Sequence, residues 1–197
     1  AGTLNEKQRH QVDRIRAGGT KLLQVIEGIL AYARLETGRE TAQLERIPVA
    51  RLLERVRGVI ESQAAECGVR LVEDVSGAPA AVCLDVDKTA HVLMALLTNA
   101  VKFTPRGGVC GLRVAEEGGR LVFDVRDTGP GIAEDHLPHL FSPFWQAERP
   151  EVRRTGGSGL GLSVARRLAR VMDGDVLMLE TSPAGTTFRV DLPLVRG

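Results

Sequence analysis

The hexapeptide Asp127-Thr128-Gly129-Pro130-Gly131-Ile132 constrains the fold more than any other stretch. It closes an alternating segment, Leu121-Val122-Phe123-Asp124-Val125-Arg126, whose period of two reads as a strand with one buried face. The carboxylate of Asp127 thus falls where the chain must turn sharply. Upstream, Val109 to Ala115 reads as a second strand, joined through Glu116-Glu117-Gly118-Gly119 as a hairpin. Downstream, the run Gly156-Gly157-Ser158-Gly159-Leu160-Gly161-Leu162 feeds straight into a helix, Ser163-Val164-Ala165-Arg166-Arg167-Leu168. Glycines let a backbone approach a ligand closely, and a helix start presents unpaired N–H groups to an anion. One carboxylate to accept from an amino group and one N–H nest for phosphates describe a purine nucleotide site. Strand-to-strand hairpins argue against a repeating βαβ order, and no Gly-Lys-Ser/Thr sequence of the Walker type is present.

The remainder of the chain frames that site. Residues 4–36 are helical in pattern, with Val12, Ile15, Leu22, Ile26, Ile29 and Ala33 at spacings of three, four or seven and Leu23, Val25 and Leu30 widening the stripe. Such a helix is about 50 Å long at 1.5 Å per residue. Nothing adjacent in sequence covers its apolar face, which implies packing against copies of itself or a missing partner helix. Thr37 to Arg46 is a polar connector, and Ile47-Pro48-Val49 reads as a short edge strand. Helices follow at 50–66, 87–103 and 158–172, with a short one from His136 to Phe141. Strands are expected at 69–75 (half-buried), 81–84, 109–115, 120–126, 175–180 and 186–192. Gln146 to Thr155 is polar and basic, with the composition of a mobile loop. The expected architecture is α+β: a two-layer sandwich in which three helices cover a mixed, largely antiparallel sheet, preceded by the long helix.

Composition narrows the function classes. A formal net charge of +1 and a single Trp and Tyr leave neither a basic footprint nor an aromatic platform for nucleic acid. No apolar run approaches the roughly 20 residues of a membrane span, and no secretory signal precedes the first helix. Cys67, Cys83 and Cys110 share no metal-like spacing and read as small buried hydrophobes in a reducing compartment.

Five stretches in order carry a resemblance. They are Leu97-Thr98-Asn99-Ala100-Val101-Lys102-Phe103-Thr104, Asp127 to Ile132, Phe141-Ser142-Pro143-Phe144, Gly157 to Leu162, and Gly185-Thr186-Thr187-Phe188. Residues 47–197 resemble the ATP-binding catalytic domain of sensor histidine kinases, in the superfamily that includes gyrases, mismatch-repair ATPases and the large heat-shock chaperones. Residues 1–40, with Ala31-Tyr32-Ala33-Arg34-Leu35-Glu36, resemble the second helix of the dimerisation and phosphotransfer hairpin, and 41–46 form the linker. The resemblance implies ATP and Mg²⁺ as cofactors and transfer of the γ-phosphate to a histidine. It also implies a homodimer through the 4–36 helix, a response-regulator receiver domain as partner, and a cytoplasmic location, as the cytoplasmic part of a membrane-bound sensor.

The roles of single residues follow from it. Asn99 offers an amide oxygen suited to Mg²⁺, and Lys102, three residues on, meets phosphate charge. Phe103 packs on the base or in the core. Asp127 accepts from the adenine amino group, with Gly129, Gly131, Ile132 and Thr187 around it. Gly157, Ser158, Gly159, Leu160, Gly161 and Leu162 hold the phosphates. Arg149, Arg153 and Arg154 are the lid cations, Arg153 being the candidate for the γ-phosphate, and Phe141 and Phe144 root the lid.

Two departures stand out. The family's acceptor histidine lies in a His-acidic-x-Arg/Lys-x-Pro stretch, which His10, His91, His136 and His139 do not match, so the acceptor is expected outside this chain. The family also usually carries a second Asn four residues before the Asn99 position, where this chain has Ala95. A methyl group binds no metal and orients no water, so binding is expected to survive and catalysis to be affected. A non-catalytic nucleotide sensor signalling through its helix is therefore the alternative reading. A third is an ATP hydrolase or serine kinase of the same superfamily.

Overall fold

The computed structural model describes residues 5–36, 40–147 and 158–195. Helix α1 (Glu6–Glu36) leads into a short strand β1 (Glu45–Pro48), and helix α2 (Val49–Cys67) begins where the edge strand was expected to end. Strands β2 (Arg70–Gly77) and β3 (Ala81–Leu84) precede helix α3 (Val86–Phe103). The hairpin of β4 (Val109–Glu117) and β5 (Arg120–Asp127) follows. Next comes a 3₁₀ turn at Glu134–His139 with Pro138 inside it, in place of the expected His136–Phe141 helix. Proline removes an N–H and stops an α-helix from forming there. Helix α4 (Gly161–Val171) and the hairpin β6 (Asp175–Ser182) and β7 (Gly185–Pro193) close the chain.

The main sheet has the order β2-β4-β5-β7-β6, with only the β2–β4 pair parallel. Strand β3 leaves it and pairs antiparallel with β1. Helices α2, α3 and α4 cover one face, where Phe123, Val125, Val190, Leu93, Leu96 and Ala165 are buried. The other face is polar. Asp124 sits there between Arg113 (3.1 Å) and Arg189 (2.6 Å), and Glu117 pairs with both arginines. Opposite charges on neighbouring strands satisfy a solvated face and add little stability individually. Strand β2 differs from expectation. Leu71 is half-buried and Val72, on the opposite face, is exposed as alternation requires, but Val75 is exposed as well, because β2 is the edge of the sheet.

Asp85 ties the connector to the core. It is buried, caps α3 by accepting from the Lys88 amide (2.9 Å), and accepts from the Gln43 amide (2.9 Å). The Lys88 ammonium reaches both Asp85 (2.9 Å) and Glu40 (3.5 Å). Burial works against the Asp85 charge, but the two amides and the ammonium hold its carboxyl below the ordinary value.

Among the described residues, helix α1 meets the sandwich near its end. Tyr32 lies under the Arg167 guanidinium of α4 (4.5 Å to the ring centroid), and Arg167 also pairs with Glu36. A side chain at Gly28 would come within 3.0 Å of Leu160. Further up, Val12, Ile15, Leu22, Leu23, Ile26, Ile29 and Leu30 are all exposed. Of the three cysteines, Cys110 is buried as expected, Cys83 is half-buried, and Cys67 is exposed at the end of α2.

Candidate nucleotide site

Strand β5 carries Asp127 to the end of the helix-covered face, beside the last turn of α3 and the start of β7. Its Oδ1 accepts from the Gly129 amide (2.8 Å) and the Thr186 amide (3.3 Å). Among the described residues nothing donates to its Oδ2, and no buried side-chain oxygen or nitrogen there lacks a partner, so Oδ2 is reached from outside. Burial pushes the carboxyl above the usual carboxylate range, against the pull of the two amides. The same burial, with Asp127 nearby, pushes the neighbouring Cys110 thiol up to about 12, so it stays protonated. The site is thus a fixed, half-enclosed acceptor with one oxygen held and one on offer.

Two glycines allow the walls to close. Gly131 has φ of 71°, and a Cβ there would lie 2.1 Å from the Ser182 carbonyl oxygen. A Cβ on Gly185, at φ of 138°, would lie 1.9 Å from the carbonyl oxygen of Asp127. The 127–132 turn and the β6–β7 hairpin therefore touch backbone to backbone. Gly129 is less tight, since a Cβ there would lie 2.8 Å from the Phe103 carbonyl oxygen. Ile132 is half-buried and donates its amide to Thr181 Oγ1 (2.8 Å).

Helix α3 places Asn99 and Lys102 half-buried near its end, with the Lys102 ammonium 4.7 Å from the Phe103 ring centroid. Phe103 is exposed rather than a core residue, which leaves its ring available to a ligand face. Helix α4 starts at Gly161, three residues later than expected, and among the described residues no side chain caps it. Its first amides are therefore open to an anion. Gly161 itself has open space around its Cα, Ser158 accepts from the Leu160 amide (3.2 Å), and Leu160 is buried beneath. Leu162 is half-buried on the core. Gly159, with φ of 71°, presses on the backbone of Phe144, and its carbonyl accepts from the Phe144 amide (3.0 Å).

Phe141 is anchored edge-on against Phe188 (6.4 Å) and under Arg166 (4.5 Å). Phe144 is exposed, at φ of 64°, with its ring 6.5 Å from Tyr32. Gly157, Arg153, Arg149 and Arg154 lie outside the described residues. Thr187 is turned to the polar face of the sheet, where it donates to Glu180 (3.1 Å). Thr186 holds the position beside Asp127 instead. The alternation of β7 carries that signal, because Phe188, Val190 and Leu192 are inward and a period of two puts Thr186 with them. Strand β6 adds Thr181, which no motif named.

Comparison with known proteins assigns the fold to a family. Residues 84–196 match the model of the histidine kinase-, DNA gyrase B-, and HSP90-like ATPase family. A sensor-like histidine kinase of Rhizobium meliloti is 38% identical over 96% of this chain and 36% of its own length. The circadian input-output histidine kinase CikA of Synechococcus elongatus is 33% identical over 98% of this chain and 26% of its own. The chain thus spans about a third or less of these relatives. The crystal structure of full-length ShkA in complex with AMPPNP superposes with a TM-score of 0.83 at 31% identity, covering 100% of this chain and 41% of ShkA. The chain belongs to the histidine kinase-, DNA gyrase B-, and HSP90-like ATPase family and carries the ATP-binding catalytic domain of a sensor histidine kinase.

Proposed function

We propose that residues 47–197 bind Mg-ATP and transfer its γ-phosphoryl group to a histidine outside this chain, with residues 1–40 acting as the second helix of a dimerising hairpin. The observation that carries the reading is Asp127: its Oδ1 is saturated by two backbone amides and its Oδ2 is open. That arrangement accepts from the exocyclic amino group of adenine and repels a carbonyl oxygen at the same place. The likeness to ShkA, crystallised with AMPPNP, supports it.

The other residues take roles consistent with their positions. Phe103 lies against the base, and Gly129, Gly131 and Ile132 wall it. The open amides at the start of α4, from Gly161 and Leu162, face the phosphates, with Gly157, Ser158, Gly159 and Leu160 leading into them. Lys102 meets phosphate charge, and Arg153 is the candidate for the γ-phosphate. The donor set fits magnesium sparingly: the neutral amide oxygen of Asn99 suits it, and one protein ligand beside phosphates is ordinary for this ion. Bound Mg²⁺ neutralises charge on the transferred group, and the protein adds positioning. The proposed partners are a second copy, through the exposed stripe of α1, and a response-regulator receiver domain. No described helix is long and apolar enough to cross a membrane. A cytoplasmic location is part of the proposal.

A second reading is favoured by one residue. Ala95 stands one helical turn before Asn99, where it supplies no ligand, so the domain would bind nucleotide and report it without transfer. The test is phosphotransfer from ATP to a separately expressed hairpin of the parent protein, comparing the wild-type chain with Ala95→Asn at saturating ATP. An amide recovered mainly in the transition state is worth roughly 1.5–3 kcal/mol, about tenfold to a hundredfold in rate. Slow wild-type transfer accelerated by Ala95→Asn supports the kinase. Two inactive chains that both bind ATP establish the sensor.

A further inference from the structure

The β6 strand contains a bulge whose effect falls on the nucleotide site. Met178 pairs with Phe188, but the next partners are Glu180 with Thr187, so Leu179 is the extra residue. A strand alternates faces with a period of two, so an unbroken β6 would put Thr181 on the polar side, opposite Val176 and Met178. The inserted residue reverses that phase. Thr181 then pairs with Thr186 and joins it on the inner side.

Once there, its hydroxyl takes two partners. It accepts from the Ile132 amide (2.8 Å) and lies 3.0 Å from Thr186 Oγ1. The Thr186 amide in turn donates to Asp127 Oδ1 (3.3 Å). A connected path therefore runs from the far end of the 127–132 turn, through two hydroxyls, back to the carboxylate at its near end. The surrounding backbones are in contact at Gly131 and Gly185, where no side chain fits. In that seam the Thr181 hydroxyl is the side-chain group that reaches the turn.

We propose that Thr181 is a positioning residue for base recognition: its hydroxyl, brought inward by the Leu179 bulge, locks the Ile132 end of the turn to Thr186 and so fixes the open oxygen of Asp127. This rests on the reading of Asp127 as the adenine acceptor. The consequence is selective. Losing the hydroxyl loosens the contact to the base and leaves the phosphate-facing start of α4 intact, since the Thr181 hydroxyl bonds to Ile132 and Thr186.

The experiment compares the wild-type chain with Thr181→Val, which keeps the shape, and Thr181→Ser, which keeps the hydroxyl. The first readout is amide exchange at Ile132 by NMR without nucleotide. The second is calorimetric affinity for Mg-ATP and for magnesium tripolyphosphate. Thr181→Val should expose the Ile132 amide and weaken ATP about three- to tenfold, the scale of one hydrogen bond, with tripolyphosphate unchanged. Thr181→Ser should restore both. Unchanged Ile132 exchange in Thr181→Val overturns the lock whatever happens to ATP. Equal losses for ATP and tripolyphosphate, or a serine variant as weak as valine, reduce Thr181 to general packing and also overturn it. A wild-type chain that binds tripolyphosphate but gains nothing from the base overturns the adenine reading, a result distinct from either.

Discussion

Replacing Asp127 with asparagine changes one atom and one charge, and the structure says where each effect falls. Oδ1 keeps its place, so the amides of Gly129 and Thr186 keep their acceptor. The other terminus becomes an NH₂ aimed at the amino group of adenine, donor against donor. An unpaired polar contact of that kind costs roughly 1–3 kcal/mol, so Mg-ATP and Mg-ADP should bind about tenfold to a hundredfold more weakly. The apo fold should not suffer. Asp127 has a raised carboxyl pKa, so its charged form is disfavoured by folding, and at neutral pH removing the charge is neutral to stabilising. Calorimetry with ATP, ADP and tripolyphosphate, alongside thermal melting of the apo protein, separates these effects. Affinity for the wild type should also fall as the pH drops through the raised pKa, because a protonated Oδ2 no longer simply accepts; Asp127→Asn supplies the control for the nucleotide's own titration. Equal ATP affinity in both proteins refutes the adenine contact. Equal loss of tripolyphosphate binding, or a large fall in melting temperature, shows that Asp127 acts through the fold.

Three further outcomes follow from other parts of the molecule. Asp85→Ala removes the cap of α3, the anchor of the connector and the nearer partner of Lys88, and should cost about 2–4 kcal/mol, read as a lower urea midpoint with unchanged slope; a midpoint within 0.5 kcal/mol of wild type, on the scale of a neutral surface change, contradicts the anchoring role. Although burial opposes it, pairing with Arg166 and Arg170 holds the Asp175 carboxyl down at about 2, so its stabilisation is complete above the ordinary carboxylate range and is lost as pH falls toward 2; Asp175→Asn should lower stability at pH 7 and flatten the acid limb of the stability curve, and an unchanged acid limb refutes it. The exposed stripe of α1, with Ile15 74% and Leu22 61% exposed, should produce a weak, concentration-dependent dimer in sedimentation that Ile15→Glu with Leu22→Glu abolishes; a wild-type monomer at all concentrations contradicts it.

The parts of the site that could be read from the sequence are those whose chemistry is local. Asp127 and its glycines form one uninterrupted turn, and α3 carries Asn99, Lys102 and Phe103 within five residues, so spacing alone brings them together. The sandwich was legible for a similar reason: β4, β5 and β7 alternate over 110–114, 123–127 and 188–192, where one face is buried and the other is polar. Strand β2 has the same alternation, but its burial depends on being an edge, a property of the sheet order rather than of the strand. The length of the helix before the sandwich was equally visible, whereas the residues at which it touches the rest were not.

What local pattern does not carry is phase and long-range contact, and both matter at this site. Choosing between Thr186 and Thr187 needs the register of β7, which Phe188, Val190 and Leu192 settle only once they are known to face the helices. Thr181 is harder still, because a bulge at Leu179 reverses the phase of β6, and no composition rule places that bulge. The contact between α1 and the sandwich lies at a sequence separation beyond any pattern. Tyr32 reaches Phe144, and Gly28 reaches Leu160, while Phe144 and Gly159 are themselves joined by a backbone hydrogen bond. The end of the long helix therefore rests on both flanks of the segment between Phe144 and Leu160, next to the open amides of α4. A shift of Phe144 or of Leu160 therefore changes what Tyr32 and Gly28 pack against.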